Sequence, residues 1–145
     1  MDNLSAIASK LHDLWREPRR LSDGLYKFEP RWKNTSDPEW IVKHGINRVD
    51  IANTAYYDLP RDWQKENLAS AQVALEQINC SLELEQPLDG EFIEAASAVI
   101  HEEWLKRNGE YASAEQKLPY FQLSEEEKEK DRVIIRAAIE EVQSK

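Results

Sequence analysis

The chain has 145 residues, of which 41% are hydrophobic and 32% charged, with a formal net charge of −9 at pH 7. This length suits one compact domain, and three Phe, five Trp and five Tyr exclude the aromatic-poor composition of a disordered chain. No apolar run is long enough for a membrane span. The first residues lack the regions of a signal peptide. Cys80 is the only cysteine, so an intrachain disulfide and a cysteine-based zinc cluster are excluded, and we expect a cytoplasmic protein.

Three helices are predicted in the first half. Asp2 or Asn3 can cap the first, which ends before Pro18 and has apolar residues at three- and four-residue steps: Leu4, Ile7, Leu11, Leu14 and Trp15. The second is short; it starts at Ser36-Asp37-Pro38-Glu39 and ends at Gly45. The third starts near Pro60, with an apolar face of Leu68, Ala71, Leu75 and Ile78.

Two more helices are predicted after a linker at residues 79–89. The fourth runs from about Glu91 to Lys106 and turns apolar side chains inward: Phe92, Ala96, Val99, Ile100 and Trp104. The fifth begins at Ser124, where Ser124 and Glu127 have the spacing of a capping box. Its predicted buried face contains Ile135, Ala138, Ile139 and Val142.

The two halves of the chain share a pattern that indicates an internal duplication. Leu11-His12-Asp13-Leu14-Trp15 corresponds to Ile100-His101-Glu102-Glu103-Trp104 at an offset of 89 residues. Downstream, Leu59 corresponds to Leu123 at an offset of 64, which leaves 89 − 64 = 25 extra residues in the first copy. We therefore predict an all-α single domain, residues 1–145, built as a small helical bundle of two pseudo-repeated helix pairs with long irregular loops. Repeat one covers about 3–78 and repeat two about 90–143.

The second copy resembles the RyR domain, the module repeated in ryanodine receptor channels. The resemblance is carried by Ile100-His101-Glu102-Glu103-Trp104 and by the run from Leu118 to Lys128, a Leu-Pro turn that opens a Glu/Lys-rich helix. The first copy is similar to bacterial and phage versions. The chain departs from the family in its short 108–117 loop and in Ser124, where Pro is common. The resemblance implies a paired α-helical regulatory module that binds a ligand or partner, without established catalysis.

The charge is distributed unevenly. Residues 1–78 carry 11 basic and 12 acidic side chains, a net −1, whereas residues 79–145 carry 8 and 16, a net −8. Binding duplex nucleic acid requires a basic face, so we expect no duplex nucleic acid partner. Basic side chains in the first half can still hold a small anion: Arg16, Arg19, Arg20, Arg31 and Lys33.

A ligand site is predicted in the first-half loops, where aromatic faces, cations and amides combine. These groups can stack on a planar ring, pair with phosphate and bind polar edges. The predicted ligand-binding residues are Arg31, Trp32, Lys33, Trp40, Asp50, Asn53 and Tyr56, with Tyr26 and Tyr57 as further candidates. The alternative is that these aromatic side chains pack the 25-residue excursion onto the bundle.

The histidines of the two copies have a structural interpretation. His12 and His101 each precede a tryptophan, Trp15 and Trp104, by three residues. We predict that each packs on its tryptophan and donates to a backbone carbonyl, in preference to a role in binding. No metal site, cofactor or catalytic residue is predicted, since the spacing of His44 and Cys80 matches no metal motif and no enzyme signature is present.

These patterns favour a small binding or regulatory module that senses an anionic, nucleotide-like ligand. The alternative function is a protein-protein interaction module, in which the acidic second half docks a basic partner or a second copy of the chain. A complex that weakens with salt would distinguish this alternative from ligand binding.

Overall fold

The structure, a computed structural model, describes residues 3–19 and 29–144. Its five α-helices are α1 (Asn3–Arg16), α2 (Pro38–His44), α3 (Arg61–Glu83), α4 (Gly90–Asn108) and α5 (Glu125–Gln143). Short 3₁₀ turns cover Glu17–Arg19, Tyr56–Asp58, Gly109–Tyr111 and Tyr120–Gln122. The predicted helical fold class is confirmed, and every predicted helix is present.

A small sheet is the element that the all-α prediction missed. Strands β1 (Trp32–Asn34) and β2 (Arg48–Asp50) pair antiparallel, with Trp32 opposite Asp50. Only Val49 of the two strands is buried. The strands enclose α2, so the described part of the excursion in the first copy includes a hairpin with a short helix in its loop.

The chain divides into two compact units, Met1–Ala69 and Ser70–Lys145. The division lies inside α3, earlier than the predicted end of repeat one at residue 78. Apolar side chains fill the interior of the first unit: Ile7, Ala8, Leu11, Val49, Ala52, Tyr56 and Leu59. In the second unit α4 packs on α5, and the buried side chains include Ile78, Ala96, Ile100, Tyr120, Leu123, Ile135 and Ala138.

Helix α1 buries fewer apolar side chains than predicted. Leu14 and Trp15, expected on its apolar face, are 39% and 46% exposed, so the buried stripe is narrower than predicted. Burial here is concentrated at Ile7 and Leu11, one turn apart on the helix. The predicted cap at Asp2 lies outside the described residues.

The predicted linker at residues 79–89 is wrong at its start, because α3 continues to Glu83. The helix ends through Glu85, which adopts a left-handed conformation with φ 55°. The N–H of Gln86 then donates to the carbonyl of Ser81 over 2.9 Å, a bond typical of helix C-termini. Among the described residues, no helix combines the length and the apolar character needed to cross a bilayer.

The predicted N-cap and C-cap of α2 are both present, whereas the predicted capping box of α5 is present only in half. Asp37 caps α2, and Gly45 ends it with φ 72°. At α5 the Ser124 hydroxyl accepts from the N–H of Glu127 over 3.3 Å. The reciprocal half of the capping box differs from the prediction, because the Ser124 N–H donates to Glu115.

Replacing Gly45 by alanine is expected to lower the free energy of unfolding by about 1 kcal/mol, the cost of a left-handed backbone with a Cβ. No heavy atom lies within 4 Å of the added Cβ, so the backbone conformation is the only source of the penalty. Gly45→Asn should cost less, since asparagine tolerates this conformation. Urea unfolding of both variants checks the prediction, and equal losses for the two would contradict it.

Candidate functional site

Asp37 connects the starts of two helices. One carboxylate oxygen accepts from the N–H of Glu39 in α2 over 3.1 Å, and the other from the N–H of Arg61 in α3 over 2.9 Å. The backbone N–H of Arg61 is the main reason that the pKa of Asp37 lies below its usual value. Because helix N-termini favour negative charge, this carboxylate holds α2 against the first turn of α3.

Further hydrogen bonds attach the hairpin to α3. Asp62 accepts from the Thr35 hydroxyl over 2.7 Å and from the Ser36 N–H over 2.9 Å. The indole N–H of Trp63 donates to the carbonyl of Asn34 over 2.8 Å. The hairpin is therefore held at a fixed position over the start of α3 by side chains from both elements.

Asp50 organises the turn after β2. Its carboxylate accepts from the N–H of Arg31 over 2.8 Å, the N–H of Ala52 over 3.2 Å and the Asn53 amide over 2.6 Å. Burial acts to raise the pKa of Asp50, but these hydrogen bonds, led by that of Asn53, hold it below its usual value. The Asp50 carboxylate thus accepts three hydrogen bonds from its own chain, and its role is to hold the turn.

Trp40 and His44 form a stacked pair on α2. Their ring centroids are 3.8 Å apart, with 29° between the planes. The Trp40 indole N–H donates to the carbonyl of Arg48 over 3.3 Å, which ties the pair to β2. His44 thus covers one face of the Trp40 indole, and the two side chains lie four residues apart on one helix face.

A cleft of about 500 Å³ opens beside this pair, between α2 and the start of α3. We call it the hairpin cleft. It is lined by Asp37, Glu39, Trp40, Lys43, His44, Asn53, Thr54, Ala55, Tyr57, Asp58, Leu59, Pro60, Arg61 and Gln64. Its volume lies within the range of small-molecule sites, about 300–1,000 Å³.

Cations and anions both border the hairpin cleft. Arg61 Nη2 lies 3.3 Å from Glu39, and both side chains are 76% exposed. An ion pair this exposed contributes little to stability, so an incoming anion can replace Glu39 as the partner of Arg61. Lys43 supplies further positive charge from the last turn of α2.

The structure brings two of the seven predicted ligand-binding residues into the cleft, Trp40 and Asn53. The other five do not line it: Arg31, Trp32, Lys33, Asp50 and Tyr56. Tyr56 is buried at 3% exposure and lies edge-on to Tyr57, which does line the cleft. Tyr26 and Arg20 lie outside the described residues.

Trp32, one of the predicted residues, forms a separate contact on the hairpin. The guanidinium of Arg48 lies 5.2 Å from the centre of the Trp32 ring, a cation–π distance. Lys33 is exposed on the same strand as Trp32. Arg16, from the basic set predicted to hold an anion, instead donates from Nε to the carbonyl of Ala52 over 2.9 Å and is buried.

The cleft residues that the sequence did not point to include all three basic side chains of its lining, Lys43, His44 and Arg61. A signal was available, because each lies next to a predicted helix boundary at Gly45 or Pro60. Helix ends expose polar backbone groups and collect charged side chains. Their meeting in space depends on the Asp37 bridge, which joins positions 24 residues apart.

Each His-Trp segment has the same local geometry in its own unit. His12 Nε2 lies 2.8 Å from the carbonyl of Thr54, and His101 Nε2 lies 2.8 Å from that of Leu118. Each imidazole stacks on its tryptophan, with 19° between the planes at Trp15 and 13° at Trp104. Both histidines are buried, at 4% and 5% exposure, so these contacts hold loops onto helices.

Most charges in the acidic start of α5 have partners nearby. Arg132 contacts Glu94 and Glu125 at 2.8 Å each, and its Nε also lies 3.2 Å from the Tyr120 hydroxyl. The Arg132 guanidinium is the main reason that the pKa of Glu94 lies below its usual value. Lys130 pairs with Glu127. These contacts reduce the negative charge that this surface offers to a basic partner.

Within residues 3–19 and 29–144, no group of three or more His, Cys, Asp or Glu side chains is placed to hold a metal ion. Compared with known proteins, the chain matches no protein-family model, no curated protein and no solved structure. Any functional assignment therefore depends on the geometry of the hairpin cleft and on the chemistry of its lining.

Proposed function

We propose that the chain is a binding module that holds a small anionic ligand with a planar ring, such as a nucleotide, in the hairpin cleft. The observation that carries the proposal is the stacked Trp40–His44 pair beside the cations Lys43 and Arg61, in a cleft of about 500 Å³. We propose binding without catalysis, as a sensor or regulatory module.

The cleft lining matches the parts of such a ligand. A planar ring can stack on the Trp40 indole, an interaction worth about 1–3 kcal/mol for a nucleobase. Phosphate oxygens can accept hydrogen bonds from Arg61 and Lys43, as guanidinium and ammonium groups bind phosphate well. The Asn53 amide and the Thr54 hydroxyl each donate one hydrogen bond to Asp50. At the edge of the ring, Asn53 can still offer its second N–H and its oxygen, and Thr54 its hydroxyl oxygen as an acceptor.

Kinship with RyR domains remains part of the proposal. The resemblance is one of sequence; the contacts instead support the duplication within the chain, because both copies place a histidine between a helix and the carbonyl of a downstream loop at the same 2.8 Å distance. Two turns also correspond, since Tyr56 and Tyr120 each lie edge-on to the next ring with centroids 5.1 Å apart. A shared ancestor for the two copies explains these matching contacts.

The test measures binding of adenosine 5′-monophosphate, adenosine and inorganic phosphate by thermal shift and calorimetry. We expect the monophosphate to bind more tightly than adenosine or phosphate alone. Trp40→Ala and Arg61→Gln should each weaken it at least tenfold, about 1.4 kcal/mol. Glu39→Gln should strengthen it, because the substitution removes a negative charge and releases Arg61.

The matched control is Lys33→Ala against Lys43→Ala. Both remove one lysine charge from the excursion, but only Lys43 lines the hairpin cleft. We expect Lys43→Ala to weaken binding and Lys33→Ala to leave it unchanged. Equal effects would show that binding follows net charge and would contradict the cleft; no response to any of the three probes would favour the protein-interaction alternative.

A further inference from the structure

The buried His101–Asp131 pair lies in the second unit, away from the hairpin cleft. Nε2 of His101 lies 2.8 Å from the carbonyl of Leu118. A carbonyl oxygen only accepts hydrogen bonds, so Nε2 carries the proton in that contact. Nδ1 is therefore the nitrogen that can gain or lose a proton, and it lies 3.6 Å from Asp131 Oδ2.

This arrangement favours one proton on the pair. A proton on Nδ1 gives an imidazolium beside a carboxylate, and a proton on Asp131 gives a neutral acid beside a neutral ring. Without that proton, the lone pair of Nδ1 faces a carboxylate in a low-dielectric interior. Both side chains are buried, at 6% and 13% exposure, so water screens this repulsion poorly.

Among the described residues, the charged side chains near the pair occur as one cation and one anion at each place. The cavity beside the pair has a volume of about 170 Å³, and the lining residues besides the pair are Trp104, Gln116, Glu127, Lys130 and Ile134. Lys130 and Glu127 pair with each other at 2.8 Å, which offsets their charges. On the other side of His101, the adjoining groove has Glu102 and Lys117, again one charge of each sign.

These neighbouring groups act on the pKa of Asp131. Burial raises its pKa to about 7, against an opposing effect of His101. Glu127 raises it further, and Lys130 lowers it. The carboxyl therefore exchanges its proton close to neutral pH.

The first unit provides an internal comparison. Asn67 corresponds to Asp131 at the offset of 64 residues, and it lines a cavity of about 210 Å³ together with His12, Trp15 and Trp63. An amide has its own N–H donors and does not titrate near neutral pH. The first unit therefore has at this position a side chain that needs no bound proton.

We propose that the His101–Asp131 pair is a proton-operated latch. With its proton bound, the pair keeps His101 on the Leu118 carbonyl and holds the segment between α4 and α5 closed. When the proton is lost, the lone pair of Nδ1 and the Asp131 carboxylate repel each other. This repulsion weakens the hydrogen bond between His101 and the Leu118 carbonyl. The second unit thus responds to pH through a contact whose counterpart in the first unit has an asparagine.

The main test is urea unfolding between pH 5 and 8.5 for the wild type, Asp131→Asn and Asn67→Asp. A folded-state pKa above the unfolded value stabilises at low pH, and this contribution is lost as pH rises toward about 7. Relative to Asp131→Asn, the wild-type unfolding constant should rise with pH between 5 and 7, by at most about tenfold per pH unit, the limit for one proton. Asn67→Asp should add a similar dependence in the first unit.

The same pH dependence in the wild type and Asp131→Asn would overturn the proposal. Nitrogen NMR of wild-type His101 provides a readout that needs no variant. We expect a proton on Nε2 throughout, and a change in the ring signals of His101 or in the Trp104 indole near pH 7, where Asp131 exchanges its proton. A ring protonated only on Nδ1 at high pH, or no change between pH 5 and 8.5, would also overturn it.

Discussion

Replacing Ile135 by alanine is expected to lower the free energy of unfolding by about 3 kcal/mol. Ile135 is 0% exposed in the middle of α5, on the face that packs in the second unit. Truncation removes buried methyl and methylene groups and leaves a cavity that the flanking helices only partly fill. Urea unfolding followed by circular dichroism measures the loss.

Ile134→Ala is the matched control for this variant. It makes the same chemical change at the next position, but Ile134 is only partly buried and lines a cavity already present beside His101. We expect a loss of about 1 kcal/mol, since part of its surface is in water in the folded state. Equal losses at the two positions would contradict the packing described for α5.

Replacing His12 by alanine should lower the free energy of unfolding by about 2 kcal/mol. The imidazole is 4% exposed and is the hydrogen-bond donor to the Thr54 carbonyl. Alanine leaves that carbonyl without this donor and opens a gap beside Trp15. His12→Phe keeps most of the volume and should recover part of the loss, which separates packing from the hydrogen bond.

His44→Ala is the control for the histidine variants, because His44 is exposed and should change stability by less than about 0.5 kcal/mol. In ligand binding we expect the opposite: His44→Ala should weaken the affinity for the ligand, and His12→Phe should leave it unchanged. A large stability loss at His44, or a binding loss at His12 in a folded variant, would contradict the assignments.

His12 also affects how the free energy of unfolding depends on pH. Burial lowers the pKa of His12 below 6.5, against the effect of its bond to Thr54. The unfolded chain then binds the proton more readily, so stability from this group is present above pH 6.5 and is lost as pH falls. His12→Phe should remove that loss, and its sign is opposite to the one expected at Asp131.

The helices were predictable because their signals are local. Ser124 and Gly45 lie at the helix ends where capping chemistry places them, and the buried positions of α5 follow its helical period. The end of α3 was not predictable in the same way. A left-handed Glu85 terminates it, and glutamate carries none of the preference for that conformation that marks glycine.

The sheet and most of the cleft depend on contacts between distant positions. Each strand has three residues, and with Val49 alone buried no alternation of apolar and polar residues indicates them. Trp40 and Asn53 could be identified from residue type. Arg61 could not, since its place in the cleft follows from the contact of its backbone with Asp37.

That contact has a consequence for the kind of molecule the cleft admits. The two walls, α2 and the first turn of α3, are joined by the two oxygens of a single carboxylate. The distance between the two helix ends is therefore set by the length of one aspartate side chain and its two hydrogen bonds. In the proposed ligand site, we expect this backbone spacing to limit the thickness of the ligand and the side chains on each wall to determine which chemical groups are recognised.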